Sequence, residues 1–277
     1  YEYEEVMWHD VPGRDEKWRK ETIEALDHDE EKFNQEYCCQ FLGSSGTLIA
    51  GWKLKELLHQ TPIAQHDGFM QYEKPIKERQ YSMTVDVARG KGLDYSCFSV
   101  IDITEMPYKQ VAMFRDNMVG PIDFASVVYR IGQMYNTAAV LIEVNDIGEQ
   151  VADVLLMDYG YDNILYTANN GRSGKMLTGG FGKKVDNGIR TTKNVKATGC
   201  SMLKMLVEQN QLIIQDYDTI QEISRFSKKA NSFEAESGFH DDLVMNLVMF
   251  AWFTTTDIFQ GLTNIDMKNL FSQKRSL

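Results

Sequence analysis

No Cys-x-x-Cys pair occurs in this chain. Its four cysteines (Cys38, Cys39, Cys97, Cys200) follow no zinc-ligand spacing, which argues for a reducing compartment and against a structural zinc site. Histidine is scarce and scattered, five in 277 residues, so any metal must be held by oxygen rather than imidazole. There is no run of about 18 apolar residues, which excludes a membrane-spanning helix, and no secretory leader pattern. The first residue is Tyr1 rather than Met, and the chain is read as part of something longer. What is present, 43% hydrophobic and 25% charged residues, is the composition of a globular protein of one large domain or two modest ones.

The formal charge of −11 argues at first against a nucleic-acid partner. Its distribution weakens that argument. Residues 1–36 hold thirteen acids against five Lys/Arg, a net of −8, which leaves only −3 for the rest. Between Ala168 and Lys193 the balance reverses, with six basic residues (Arg172, Lys175, Lys183, Lys184, Arg190, Lys193), six glycines and one acid, Asp186. That stretch reads either as a solvated loop or as a mobile arm that meets DNA phosphates.

Two regions are expected. Residues 1–75 read as polar helix and loop, with Pro62 and Pro75 bracketing a linker into a main domain at 76–277. From Tyr81 the period changes to alternation: 81–87, 97–104 and 109–115 form a three-stranded antiparallel meander. A helix at 122–135 follows, then "AAVLIEV" (138–144), apolar enough for a strand buried on both faces. Helices at 147–158, 194–209 and 218–226 alternate with strands at 163–166 and 212–214, and a last helix opens at Asp241. This is an α/β protein with a mixed sheet flanked by helices, in the order of the ribonuclease H-like fold.

Three acidic positions stand out on that scaffold. Asp86 interrupts an apolar strand, Glu143 ends the most apolar one, and Asp241 and Asp242 open an apolar helix. Capping accounts for one aspartate at a helix start; it does not account for the set. Carboxylates in apolar strands are costly unless paired or bound to a cation. A hard ion such as Mg²⁺ or Mn²⁺ takes a few carboxylate oxygens plus water and phosphate. Two of them about 3.5–4 Å apart can activate water against a phosphodiester. On the helical wheel Asp241 shares a stripe with Val244, Met245, Val248 and Trp252, which favours it as the inward ligand. Asp242, in line with polar Asn246, then supports it or caps the helix.

"TVDVARGKGLDYS", "VLIEVNDIGEQVADVL" and "SFEAESGFHDDLVMNLVMFAWF" together resemble the nuclease domain of the large terminase subunit of T-even-type tailed phages. "FNQEYCCQFLGSSGTLI" resembles the segment that joins that family's ATPase domain to its nuclease. The resemblance implies a metal-dependent endonuclease, with two Mg²⁺ or Mn²⁺ ions, that cuts concatemeric double-stranded viral DNA in the host cytoplasm. It also implies an ATPase domain in the same full-length protein, and a portal or procapsid and a small terminase subunit as partners. Its acidic triad falls on Asp86, Glu143 and the His-Asp-Asp motif, with Asp241 the better match. The family's ATPase needs G-x-x-x-x-G-K-[ST], which this chain lacks; "GRSGKM" at 171–176 has the wrong spacing.

Other acids and bases nearby carry plainer readings. Asp146-Ile-Gly-Glu149 has capping-box spacing, so Asp146 caps a helix or backs the metal acids. Asp94 sits in a turn. His240 is either structural or a proton relay, and Arg89 and Lys91 either border a solvated turn or touch the cut strand. Rival functions remain: an actin-like or sugar-kinase ATPase, a resolvase or RNA–DNA hybrid nuclease of the same fold, and a non-catalytic DNA-translocation module.

Overall fold

The computed structural model describes residues 6–26, 28, 33, 37, 38, 46–92, 94–145, 147–168, 176–177 and 185–263. Helix α1 (Glu16–Ala25) starts at Asp15, whose carboxylate accepts the Trp18 backbone N–H at 2.8 Å. A short α2 (Gly51–Glu56) follows. Between Pro62 and Pro75, where a linker is expected, the chain instead forms a hairpin of β1 (Ala64–His66) and β2 (Phe69–Gln71), turned at Asp67-Gly68 with positive φ at both residues.

The expected meander follows as β3 (Tyr81–Asp86), β4 (Ser96–Asp102) and β5 (Tyr108–Asp116). Helix α3 (Pro121–Met134), with proline at its start, crosses to β6 (Ala139–Ile142), which lies parallel to β3. Then come α4 (Gly148–Asp153), which loosens into a π-turn over Val154–Asp158, and a small sheet of β7 (Tyr166–Ala168), β8 (Met176–Leu177) and β9 (Val185–Asp186). Helix α5 (Lys193–Glu208) is capped by the Thr192 hydroxyl and leads to β10 (Leu212–Ile213) and α6 (Tyr217–Ile223). A hairpin unforeseen from sequence, β11 (Phe226–Lys229) and β12 (Ser232–Ala235), precedes α7 (Asp242–Phe253) and α8 (Asp257–Thr263).

The main sheet runs β1-β2-β5-β4-β3-β6, with β10 joining β5 in parallel. Alternation sends Met83, Val85, Phe98, Val100 and Val140 to one face, against Phe124, Val128 and Ile131 of α3. Ile101, Tyr108, Ala139 and Leu141 go to the other, against α5 and α7. Every residue of α7 from Leu243 to Phe253 is buried. Gly199 of α5 sits so close to the Val248 carbonyl that any side chain there would collide with it. Among the described residues no helix is long and apolar enough to cross a membrane.

Candidate active site

Parallel pairing of β3 with β6 brings the C-terminal ends of the two strands side by side, the place where open α/β sheets hold their ligands. Asp86 is the last residue of β3. Glu143 follows β6 directly, its backbone N–H bonded to the Val85 carbonyl at 2.8 Å and its own strand edge met by Ile189. The two acids are therefore neighbours by register, close enough for a hydrogen bond between their carboxyls to contribute to the Asp86 pKa. Burial is the main reason the Asp86 pKa stands well above the usual carboxylate range; the charge of Glu143, the bond between them and the charge of Asp242 add to it. Glu143 also accepts a hydrogen bond from the Asn145 amide at 2.7 Å.

Two glycines make room for this arrangement. A side chain at Gly148, at the start of α4, would run into the Glu143 carbonyl, so the helix can approach that strand end only without one. Gly90 turns the β3–β4 connection with φ of +65°, and its Cα faces the Val119 carbonyl. The Ser96 hydroxyl accepts the Ala88 N–H at 3.0 Å and closes the base of that connection.

Of the two aspartates at the start of α7, Asp242 rather than Asp241 faces Asp86. Asp242 shares a cavity of about 240 Å³ with Asp86, Val87, Ala88, Arg89, Lys91, Asp94 and Tyr95. Asp241 turns away: its Oδ2 faces the Ala235 N–H of β12 at 3.4 Å. The helical wheel points Asp241 inward, and the geometry differs for two reasons. Asp241 has φ −128° and ψ 15°, outside the helix whose stripe it was assumed to extend. And a helix buried on all sides has no outward stripe to contrast with an inward one. Burial pushes the Asp242 carboxyl up to about 6, opposed by His240, by the Tyr95 backbone N–H that it accepts, and by Arg115. Its Oδ2 is buried without a hydrogen bond, and His240 Nδ1 lies 3.7 Å from it.

Neither aspartate caps α7. Glu222 of α6 does so across 21 residues, its Oε2 accepting Leu243 N–H at 2.8 Å and Val244 N–H at 3.3 Å. Arg115 lies 3.1 Å from the other Glu222 oxygen and 3.9 Å over the Tyr95 ring. The Glu222 pKa is pushed up to about 8, chiefly by burial, with Arg115 opposing. No local spacing marks Glu222, Arg115 or Tyr95, because their partners are distant in sequence.

A divalent cation fits this donor set. Among the described residues no three acids, histidines or cysteines already close around one point. The site is an open one: two neighbouring carboxyls, that of Asp86 buried, faced by a buried aspartate oxygen without a hydrogen bond. Catalytic magnesium sites are of this kind, with one or two carboxylates completed by water and phosphate.

Of the remaining expected residues, Arg89, Lys91 and Asp94 line the cavity, and His240 stacks edge-on against Tyr95 at 5.1 Å. Arg190 stands one residue beyond Ile189, and its Nε pairs with Asp186 at 3.1 Å. Lys193 lines a separate groove between α5 and the β11–β12 hairpin, with Lys196, Lys204 and Lys229. Asp146, Arg172, Lys175, Lys183 and Lys184 lie outside the described residues.

Residues 83–257 match the family described as the terminase RNaseH-like domain. Among solved structures, the chain is similar to the large terminase nuclease from thermophilic phage G20c with bound magnesium: identity is 20%, covering 77% of this chain and 100% of that one, with TM-score 0.58. The same phage nuclease with bound cobalt matches at the same values, 20% identity, 77% and 100% coverage and TM-score 0.58. The Thermus phage P74-26 large terminase nuclease domain matches at 21% identity over 71% of this chain and 90% of that one, with TM-score 0.52. At these identities the likeness establishes the ribonuclease H-like fold.

Proposed function

Because the chain belongs to the terminase RNase H-like domain family, we propose that it is the nuclease of a viral DNA-packaging terminase, a metal-dependent endonuclease that cuts concatemeric double-stranded DNA with little sequence preference. The observation that carries this reading is the placement of Asp86, at the end of β3, and Asp242, at the start of α7, on one cavity, with Glu143 at the end of β6 beside Asp86. The G20c nuclease binds magnesium and cobalt on the same fold, which supports a divalent ion here.

Asp86, Glu143 and Asp242 are assigned as the ligands of two Mg²⁺ or Mn²⁺ ions. When bound, such ions supply a water of lowered pKa and neutralise charge at the phosphate. The chain's own residues do the rest. The bond to Asn145 restrains Glu143, and the Tyr95 N–H and His240 hold Asp242 in place. Arg89 and Lys91, on the cavity rim, meet the anionic strand, and the basic stretch 168–193 extends that contact along the duplex. No element enters a groove in the manner of a sequence-reading motif among the described residues, consistent with cutting that ignores sequence. The partners of this reading are double-stranded DNA, an ATPase domain of the same protein, a portal and a small terminase subunit, in the cytoplasm of an infected cell.

Supercoiled plasmid incubated with Mg²⁺, Mn²⁺ or EDTA tests it. Nicking with either ion and none in EDTA is the expected result. A chain that binds DNA and never nicks it is a DNA-translocation module instead.

A further inference from the structure

Beside the acid cavity lies a second cleft, of about 310 Å³, lined by Arg115, Tyr217, Asp218, Gln221, Glu222, Arg225, Gly238, Phe239 and His240. Between them stand two rings in edge-on contact, Tyr95 lining the first and His240 the second. His240 lines the second cleft while its Nδ1 faces the Asp242 carboxylate at 3.7 Å. Arg225 makes no ion pair among the described residues; its guanidinium rests 4.3 Å over the ring of Phe239. Phe239 and Tyr217 are exposed large aromatics, 47% and 51%. Of the two carboxylates here, Glu222 is buried and turned to the backbone N–H groups of α7, which leaves Asp218 as the other acid lining the cleft.

An unpaired guanidinium stacked on an exposed ring, next to a second arginine and a histidine, is the chemistry that receives a phosphate and the sugar or base attached to it. The stacking on Phe239 fixes the guanidinium while leaving its N–H donors without a carboxylate among the described residues. We propose that this cleft is a subsite for the nucleic-acid strand flanking the cut, with Arg225 on a backbone phosphate and Phe239 against the adjoining nucleotide. This rests on the nuclease reading of the neighbouring cavity. It adds a register: a strand held here passes over the Tyr95–His240 wall before it reaches Asp86 and Asp242.

The test is fluorescence anisotropy with a short fluorescein-labelled DNA duplex in EDTA, where no cutting occurs, over a series of salt concentrations. Arg225→Gln is expected to weaken binding by severalfold to tenfold and to lower the slope of log affinity against log salt by about one, the loss of one phosphate contact. Arg225→Lys keeps the charge and is expected to keep the slope. Phe239→Ala is expected to weaken binding with the slope unchanged. Thermal melting checks each fold, and if Arg225→Gln melts early, the Arg225→Lys and Phe239→Ala pair decides. Wild-type affinity and slope in Arg225→Gln overturn the proposal, as does a wild-type chain that binds no DNA. Failure of the nuclease reading looks different: DNA is bound, the slopes shift as described, and no metal produces a nick.

Discussion

Glu222 caps Leu243: a glutamate on α6 accepts the first backbone N–H groups of α7, at 2.8 Å from Leu243 and 3.3 Å from Val244. The two aspartates that open this helix are thereby relieved of the role their position suggests. Asp241 turns to the β11–β12 hairpin and Asp242 to the cavity it shares with Asp86. A side chain reaching from elsewhere in the fold ties the helix end down and leaves a carboxylate free for chemistry.

Removing that cap is expected to cost stability and metal affinity together. Glu222→Ala leaves two buried N–H groups without acceptors and Arg115 without its carboxylate, so a loss of about 1–3 kcal/mol is expected. Glu222→Gln keeps an acceptor oxygen and is expected to lose less than half as much. Urea unfolding measures the stability, and Mn²⁺ titration of each variant shows whether Asp242 has shifted. Equal stability of Glu222→Ala and wild type would remove the cap from the account.

Exchanging the neighbouring aspartates one at a time separates their roles. Asp242→Asn is expected to lose orders of magnitude in plasmid nicking, as are Asp86→Asn and Glu143→Gln, while Asp241→Asn keeps most of it. Asp86→Asn and Asp242→Asn are also expected to melt higher than wild type in EDTA, since each relieves a buried like-charge cluster. The opposite outcome, a dead Asp241→Asn beside an active Asp242→Asn, would restore the assignment that the helical wheel favours.

Asp86 and Glu143 were legible in the sequence because each breaks an apolar strand pattern, and β3 and β6 were apolar enough to be recognised and paired. The choice between Asp241 and Asp242 was not legible. It depends on one residue's backbone dihedrals and on α7 being enclosed on every side, neither of which periodicity encodes. The β1–β2 and β11–β12 hairpins escaped notice for a related reason. They are three- and four-residue strands rich in polar side chains, held by pairing with partners far along the chain or across a tight turn. Local pattern thus marked the sheet and the strand-end acids, whereas contacts formed only on folding decide which aspartate of α7 faces the cavity.

Gly148→Ala probes the approach of α4 to the site. The added methyl meets the Glu143 carbonyl, so the helix must retreat or the strand end must shift. Overpacking of this kind costs about 1–3 kcal/mol, and here the displaced residue is one of the proposed ligands. A fall in melting temperature with a disproportionate fall in nicking rate is expected. Unchanged activity in a folded Gly148→Ala protein would mean that Glu143 need not be held so closely.

Stability against pH, with and without metal, tests the cluster as a whole. Burial raises the carboxyl pKa of Asp86 well above the ordinary range, that of Asp242 to about 6 and that of Glu222 to about 8. Each folded value exceeds that of an unfolded carboxylate, near ~4, so the folded state binds these protons more tightly. The resulting stability is fully present below pH ~4 and is lost as pH rises through the folded values. In EDTA the protein is therefore expected to lose stability in two stages, steeply from pH ~4 to about 6, where Asp86, Asp242 and Glu222 all contribute, and less steeply from there to about 8 once Asp242 has ionised, with Asp242 alone accounting for about 1–3 kcal/mol. Mn²⁺ replaces the protons at Asp86 and Asp242 but not at Glu222, which caps α7 and faces Arg115. With Mn²⁺ the steep first stage is expected to flatten to the shallow slope of Glu222 alone, which continues to about pH 8. Thermal melting at one-unit pH intervals reads both stages. Loss of the second stage as well would make Glu222 part of the ion's environment, and two unchanged stages would mean that no ion binds at Asp86 and Asp242.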